Sequence, residues 1–277
     1  MAEAARWQSA PVATEIARER IARAFAQAAL HYDAHAALQR EVAQALCALL
    51  PENTPQTLLD LGCGTGYCAA LLRQRYPQAT LLALDLALPM LQRVAASPLG
   101  AQDVAPALLL CADAAALPLA PASLDLVCSS LTLQWCPQPG QVFSELHRVL
   151  RPGGRALLST FGPDSLAELS AAWATVDDHR HVNQFEPIET LERAAQDSGL
   201  RLTLQRQPSV RWYANLRELS RELKGIGAHN MNATQRPGLT GRQAFQRAER
   251  AFAAGGQGAR GVPVTYDLLY LSLERLP

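Results

Sequence analysis

An α/β fold is predicted: a doubly wound, seven-stranded, mostly parallel sheet with N-terminal helices and a helical lid inserted before the last strand. Three observations predict it. A strand-length apolar run from Thr57 to Leu61 stops at a loop with glycines at alternate positions, Gly62, Gly64 and Gly66, and the loop opens a stretch with helical spacing. Apolar runs and helical patterns then alternate through a fifth strand, the rhythm of βαβ units. Finally, Gly62, Asp85, Asp113 and Ser129 all fall at the carboxyl ends of those runs, the edge at which such sheets hold ligands.

The elements follow in order. An Ala-rich stretch from Ala13 to Ala29 has helical spacing and leads to His31-Tyr32-Asp33. A second helix places Leu38, Val42, Leu46 and Leu49 on one face and ends at Pro51. Both precede the first strand and are expected to cover one edge of the ligand site. After the glycine loop, a helix runs through Arg75 and is stopped by Pro77. The second strand, Thr80 to Leu84, ends at Asp85, where an acid can accept hydrogen bonds from a ribose diol. Pro89-Met90-Leu91 opens the next helix, and the third strand, Ala107 to Cys111, leads to Asp113. The fourth strand is Leu124 to Ser129. A helix from Gln141 to Leu150 closes at Arg151-Pro152-Gly153-Gly154, and Arg155 to Thr160 is the fifth strand.

Beyond Phe161-Gly162-Pro163-Asp164 the pattern loosens. A helix through Trp173, a polar stretch from Asp177 to Phe185 and a helix from Ile188 to Ser198 precede a sixth strand, Arg201 to Trp212. Asn215 to Gly225 and Arg242 to Ala254 read as helices around a Gly/Asn/Pro-rich loop. Gly255 to Gly261 links them to a seventh strand, Val262 to Leu273. The stretch between the last two strands is too long for a hairpin and reads as a cap over the site. The expected division is therefore 1–56 helical cover, 57–214 core, 215–261 lid and 262–277 final strand.

Composition narrows the function. The 277 residues are 49% hydrophobic, enough for a globular core, and the zero formal net charge argues against a nucleic-acid binder working through a general basic field. No apolar run is long enough to cross a bilayer and the first residues lack a secretory layout, so the expectation is a cytoplasmic protein without a membrane contact. The six cysteines form no Cys-x-x-Cys pair and read as buried free thiols, with no metal site expected.

Leu-Asp-Leu-Gly-Cys-Gly-Thr-Gly, Asp85, Asp113, Leu-Asp-Leu-Val and Leu-Arg-Pro-Gly-Gly together resemble a class I S-adenosylmethionine-dependent methyltransferase over roughly 57–160. A dinucleotide dehydrogenase expects Gly-x-Gly-x-x-Gly, whereas here the third glycine comes one position early and Tyr67 takes its place. The resemblance implies S-adenosylmethionine as cofactor. Gly62, Gly64 and Gly66 would pass its methionine part, Asp85 would hold the ribose hydroxyls, Asp113 would meet the adenine amino group, and Ser129 and Leu131 would lie beside the sulfonium. Tyr32, Gln39, Leu86, Met90 and Ala114 complete the implied cofactor-binding set.

Further segments resemble the malonyl-acyl-carrier-protein O-methyltransferases of biotin synthesis. They are His31 to Gln39, Leu133 to Cys136, Asp177 to Phe185, Leu223 to Ala228 and Val262 to Tyr266. This resemblance spans nearly the whole chain and implies esterification of the free carboxylate of a malonyl group on an acyl carrier protein. Such a carboxylate is already ionised at neutral pH, so no general base is expected. An orienting donor is, and Arg180, Arg242, Tyr213 and Tyr266 are the candidates, with His181 and Lys224 behind them. The carrier protein, acidic in this family, would dock on a basic lid face near Arg217, Arg221 and Lys224, with Arg211, Arg236 and Arg242 contributing. Other readings of the same fold are an assembly factor that modifies a protein arginine and a small-molecule methyltransferase. A non-catalytic S-adenosylmethionine binder is the reading from a different class.

Overall fold

A computed structural model describes residues 18–97, 106–228, 241–256 and 258–277. Seven strands form one sheet in the order β3-β2-β1-β4-β5-β7-β6. They are β1 (Thr57–Leu61), β2 (Thr80–Asp85), β3 (Leu108–Cys111), β4 (Leu124–Ser130), β5 (Leu150–Phe161), β6 (Leu200–Tyr213) and β7 (Val262–Arg275). Only β7 runs against its neighbours, pairing antiparallel with both β5 and β6. The mostly parallel, doubly wound sheet is thus as expected from the alternation of apolar runs.

Side chains along the inner strands alternate between two apolar layers because the strand period is two. Leu58 joins one layer and Leu59 and Leu61 the other. The first layer is built with α3 (Ala37–Cys47), α4 (Tyr67–Arg75) and α5 (Leu88–Ala95), together with α7 (Ala167–Ala174), α9 (Leu216–Gly225) and α10 (Arg242–Ala254). The second is covered by α6 (Pro139–Val149) and α8 (Ile188–Asp197). At the N-terminal side, α1 (Arg18–Ala28) and the one-turn α2 (Tyr32–His35) pack toward α5 and α9.

Local chemistry explains the ends. Asn215 accepts from the Glu218 N–H (3.0 Å) while the Glu218 carboxylate accepts from the Ala214 N–H (2.6 Å), a reciprocal cap that starts α9. Gly162 stands where a Cβ would run into the buried carboxylate of Asp267, which Arg206 holds from β6 (2.7 Å to Nε).

Three details differ from the sequence reading. Leu150 already pairs with Leu124, and 151–154 loop out before Arg155 meets Leu126, so the fifth strand begins earlier than Arg155. The cause is Arg151, whose guanidinium bonds the Asp125 carboxylate and holds the loop against the sheet. The one-turn α2 is an additional helix between the two expected ones, while residues 13–17 of the helix expected from Ala13 lie outside the described residues. Arg211 is a β6 residue paired with Glu41 (2.6 Å), not part of the α9 face, because the strand continues to Tyr213; Arg236 lies outside the described residues. Among the described residues, no helix is long and apolar enough to cross a membrane.

Candidate active site

The glycine loop is held by its own backbone. Gly62 and Cys63 both donate N–H bonds to the Leu84 carbonyl (2.7 and 2.9 Å), which ties the end of β1 to the end of β2. Gly62, Gly64 and Gly66 all take positive φ (73°, 53° and 94°), which an L side chain rarely adopts. At Gly62 space is also closed, since an added Cβ would overlap the Thr132 side chain, whereas at Gly64 it would meet nothing within 4 Å. Asp85 completes the loop by accepting from the Gly64 N–H (2.9 Å) and the Ala87 N–H (2.8 Å). Burial pushes the Asp85 carboxyl above the usual range, and those backbone donors hold part of that shift back. Thr65 reaches across to Asp33 of α2 (2.6 Å), fastening the N-terminal helices to the loop.

The neighbouring strand ends are equally constrained. Asp113 accepts from the Ala115 N–H (2.9 Å) and pairs with Arg18 Nε of α1 (2.8 Å). Leu131 sits at φ 53°, an unusual conformation for a branched residue, and its N–H donates to the Ser159 carbonyl (3.0 Å). Gln134 donates back to the Leu131 carbonyl (2.6 Å) and accepts from Thr160 (3.1 Å).

Two cavities meet above these ends. The narrower one is lined by Gly62, Gly64, Asp85, Asp113 and Leu131 on the strand side. Leu86, Met90 and Ala114 add an apolar wall, and Tyr32 and Gln39 come from the N-terminal helices. Two residues of the expected cofactor set do not reach it. Ser129 is turned the other way, its buried hydroxyl donating to the Leu61 carbonyl (2.7 Å), so the pleat presents Ser130 instead. Gly66 is occupied as the left-handed N-cap of α4 and lies behind the loop.

The second cavity, about 850 Å³, takes Arg180, His181, Lys224 and Tyr266 from the candidates named in the sequence, together with Trp173 and Phe245. Tyr213 and Arg242 are not in its lining. Tyr213 is buried with its hydroxyl donating to Glu222 (2.9 Å) and lying 2.9 Å from the Tyr266 hydroxyl. With Tyr213 donating to Glu222, the Tyr266 proton is directed at Tyr213, leaving the Tyr266 oxygen as an acceptor. Burial raises both phenols well above their ordinary pKa, so neither is a base near neutrality. Arg242, the first residue of α10, is exposed. His181 stacks on Trp173 (4.2 Å between centroids) and bonds Asp177 (2.8 Å), a packing role that orders the polar stretch.

Gln39, Trp135, Phe161, Ile226 and Ala228 line both cavities and form their common wall. Gln39 Oε1 is buried there with no donor among the described residues. Trp135 and Phe161 were not among the expected site residues. Both lie in segments, Leu133 to Cys136 and the exit of β5, where an aromatic reads as core until the sheet order is known.

A parallel sheet with one antiparallel strand, β7, set between β5 and the edge strand β6, together with a glycine loop and two acids at adjacent strand ends, defines a class I methyltransferase. A profile of the methyltransferase-domain family matches residues 59–158. The solved YcgJ protein of Bacillus subtilis superposes with a TM-score of 0.60 at 14% identity, covering 86% of this chain and 99% of that one. The malonyl-acyl-carrier-protein O-methyltransferase of Dechloromonas aromatica is 40% identical over 93% of this chain and 95% of its own length. The chain belongs to the malonyl-acyl-carrier-protein O-methyltransferase family. It is also 42% identical, over 95% of its length, to the biotin biosynthesis bifunctional protein BioHC of Cellvibrio japonicus, of which it spans about half (51%).

Proposed function

We propose that this protein transfers the methyl group of S-adenosylmethionine to the free carboxylate of malonyl-acyl carrier protein, giving the malonyl methyl ester that primes biotin synthesis. The observation that carries the reading is the pair of cavities with a common wall. One has the acceptor set for the cofactor, and the other adjoins it with a basic and aromatic lining, Arg180, Lys224, Trp173 and Phe245. The residues of the narrower cavity fit S-adenosylmethionine: Asp85 and Asp113 accept from hydroxyl and amino groups, the apolar wall suits a purine, and Gln39 Oε1 is a buried acceptor that wants an N–H. The cofactor supplies an electrophilic methyl, whose bond to sulfur breaks with its electron pair as a carboxylate oxygen forms the new C–O bond.

The chain's own residues position and dry the site. Trp135 and Phe161 separate water from the junction, and Leu131, held in its left-handed conformation, shapes the wall on the cofactor side. We place the substrate carboxylate on Arg180, which lines the larger cavity and offers a fixed fork of N–H donors, in preference to Tyr266, whose proton is committed to Tyr213. Within 215–261, α9 and α10 are assigned the part of a lid, and within 1–56, α1 to α3 that of a helical cover, the two meeting where α2 packs on α9. Arg180→Ala is expected to raise KM for the malonyl substrate about tenfold or more while leaving S-adenosylmethionine affinity unchanged. Equal loss of both in a calorimetric titration would count against that placement.

No side chain needs to gain or lose a proton. Turnover at saturating substrates is expected to stay flat between pH 6 and 8, and a single ionisation in that window in the kcat profile would show a base at work. Docking of the carrier protein is assigned to Arg217, Arg221 and Lys224 on α9. Arg217 is partly neutralised by Glu249 (3.0 Å), so Arg221 and Lys224 carry most of the attraction. Reversing the charge of Arg221, which lies outside the cavity lining, is expected to raise KM for malonyl-carrier protein and flatten its salt dependence, with malonyl-CoA turnover unaffected.

The deciding experiment compares methyl transfer to malonyl-carrier protein, malonyl-CoA, a free dicarboxylic acid and a protein arginine substrate. Transfer to the carrier-bound malonyl group, quenched by prior esterification of its carboxylate, supports the reading. Preferential transfer to nitrogen or to the free acid overturns it.

A further inference from the structure

Behind the glycine loop, within the apolar layer that α3 and α4 cover and outside the lining of either cavity, three thiols from three elements gather beside a buried carboxylate from a fourth. Cys47 is the last residue of α3, Cys68 stands in the first turn of α4, Cys128 lies within β4 and Asp60 within β1. The three sulfurs lie within 4.8 Å of one another, and Cys68 Sγ is 3.6 Å from Cys128 Sγ. Asp60 is completely buried, and neither of its carboxylate oxygens makes a well-formed hydrogen bond among the described residues. The Ala69 N–H and the Cys68 thiol lie close enough to favour its charged form, and the Cys47 sulfur faces it. Apolar packing does not account for this group, because a buried carboxylate so incompletely satisfied costs more than the leucine or valine that would fill its place.

We propose that Cys47, Cys68, Cys128 and Asp60 form a buried site for one thiophilic divalent cation, zinc. Ligands about 2.3 Å from a tetrahedral ion stand about 3.8 Å apart, which brackets the closest sulfur pair here and needs only small rotamer changes from the third sulfur. Three sulfurs and one oxygen suit zinc, whereas magnesium and calcium take oxygen ligands alone. On binding, each thiol gives its proton to solvent and the ion takes a sulfur lone pair, so the ion's two charges offset half of the negative charge gathered there. Cys47 is only half-buried and gives the ion a way in.

The role is structural. The ion would join α3, β1, α4 and β4 immediately behind Gly62–Gly66, fixing the two elements that the loop connects.

The test uses the full chain, purified reduced and without chelator. Elemental analysis is expected to find about one zinc per chain. Titration of the stripped protein with Co(II) is expected to produce a near-ultraviolet thiolate-to-cobalt charge-transfer band saturating at one equivalent. Because Cys68 and Cys128 variants risk misfolding, Cys47→Ser, at the half-buried edge, is the informative change. With its circular dichroism unchanged, it should weaken cobalt affinity by at least about tenfold, and Asp60→Asn should alter the visible cobalt spectrum without removing the thiolate band. A folded, reduced wild-type protein that shows no thiolate band overturns the proposal. So does a Cys68–Cys128 disulfide found by mass spectrometry in the protein as isolated.

Discussion

Gly62→Ala is expected to reduce S-adenosylmethionine affinity by more than about a hundredfold, while Gly64→Ala costs only about tenfold. The two glycines share a positive φ but not a surrounding. At Gly64 a methyl group meets open space, so the penalty is the left-handed conformation alone, about 1–2 kcal/mol. At Gly62 the same penalty is joined by overlap with Thr132, about 1–3 kcal/mol more. The loop can escape only by moving, which breaks the paired N–H bonds of Gly62 and Cys63 to the Leu84 carbonyl. Cofactor binding must then restore the loop at its own expense. Calorimetric titration of both variants checks the contrast; equal effects would mean that conformation, and not the Thr132 contact, sets the requirement.

Asp85→Ala is the second large effect. The carboxylate holds two backbone N–H groups, of Gly64 and Ala87, and is proposed to hold the ribose diol. Removing it strips a charged acceptor from all of them, worth about 3 kcal/mol in total or roughly a hundredfold in Kd. KM for the malonyl substrate should barely change. Asp85→Asn should recover part of the loss, because one amide oxygen can still accept from one N–H. The pH dependence has a definite sign. The binding form is the anion, and its folded pKa is raised by burial, so wild-type affinity is full above that pKa and falls as pH drops through it, sooner than an ordinary carboxyl would allow. Asp85→Asn should abolish that dependence, and an unchanged acid limb in the variant would assign it to another group.

The sheet was readable because its inner strands are buried on both faces and so appear as short, nearly uninterrupted apolar runs. Lid helices were readable from their spacing and from Asn215. What lay beyond reach was anything that depends on side-chain phase or on cross-strand register. Ser129 and Ser130 are neighbours in sequence, and only the pleat of β4 decides which of them faces the cavity. Tyr213 and Tyr266 looked equivalent as phenols near the lid; the antiparallel register of β6 and β7 makes one the support of the other. Arg211 was grouped with the α9 basic face by spacing although it falls inside the expected sixth strand, and the strand keeps it off that face. The three clustered cysteines are separated by whole elements, so no spacing rule could unite them.

The register that ends at Tyr213↔Val262 has a further consequence. Residues 214–261 leave the sheet and return to it at one hydrogen-bonded point, so the backbone of the core needs no change of course to carry them. Lengthening such an excursion costs little closure entropy, about 0.6 kcal/mol for each doubling. Yet Leu216, Leu219 and Phe252 are buried in the same apolar layer as α3 and α4, so the excursion cannot simply be cut away. Descendants of this scaffold could therefore acquire new acceptors by grafting a different insert with a matching apolar underside, leaving the methyl-donor half untouched.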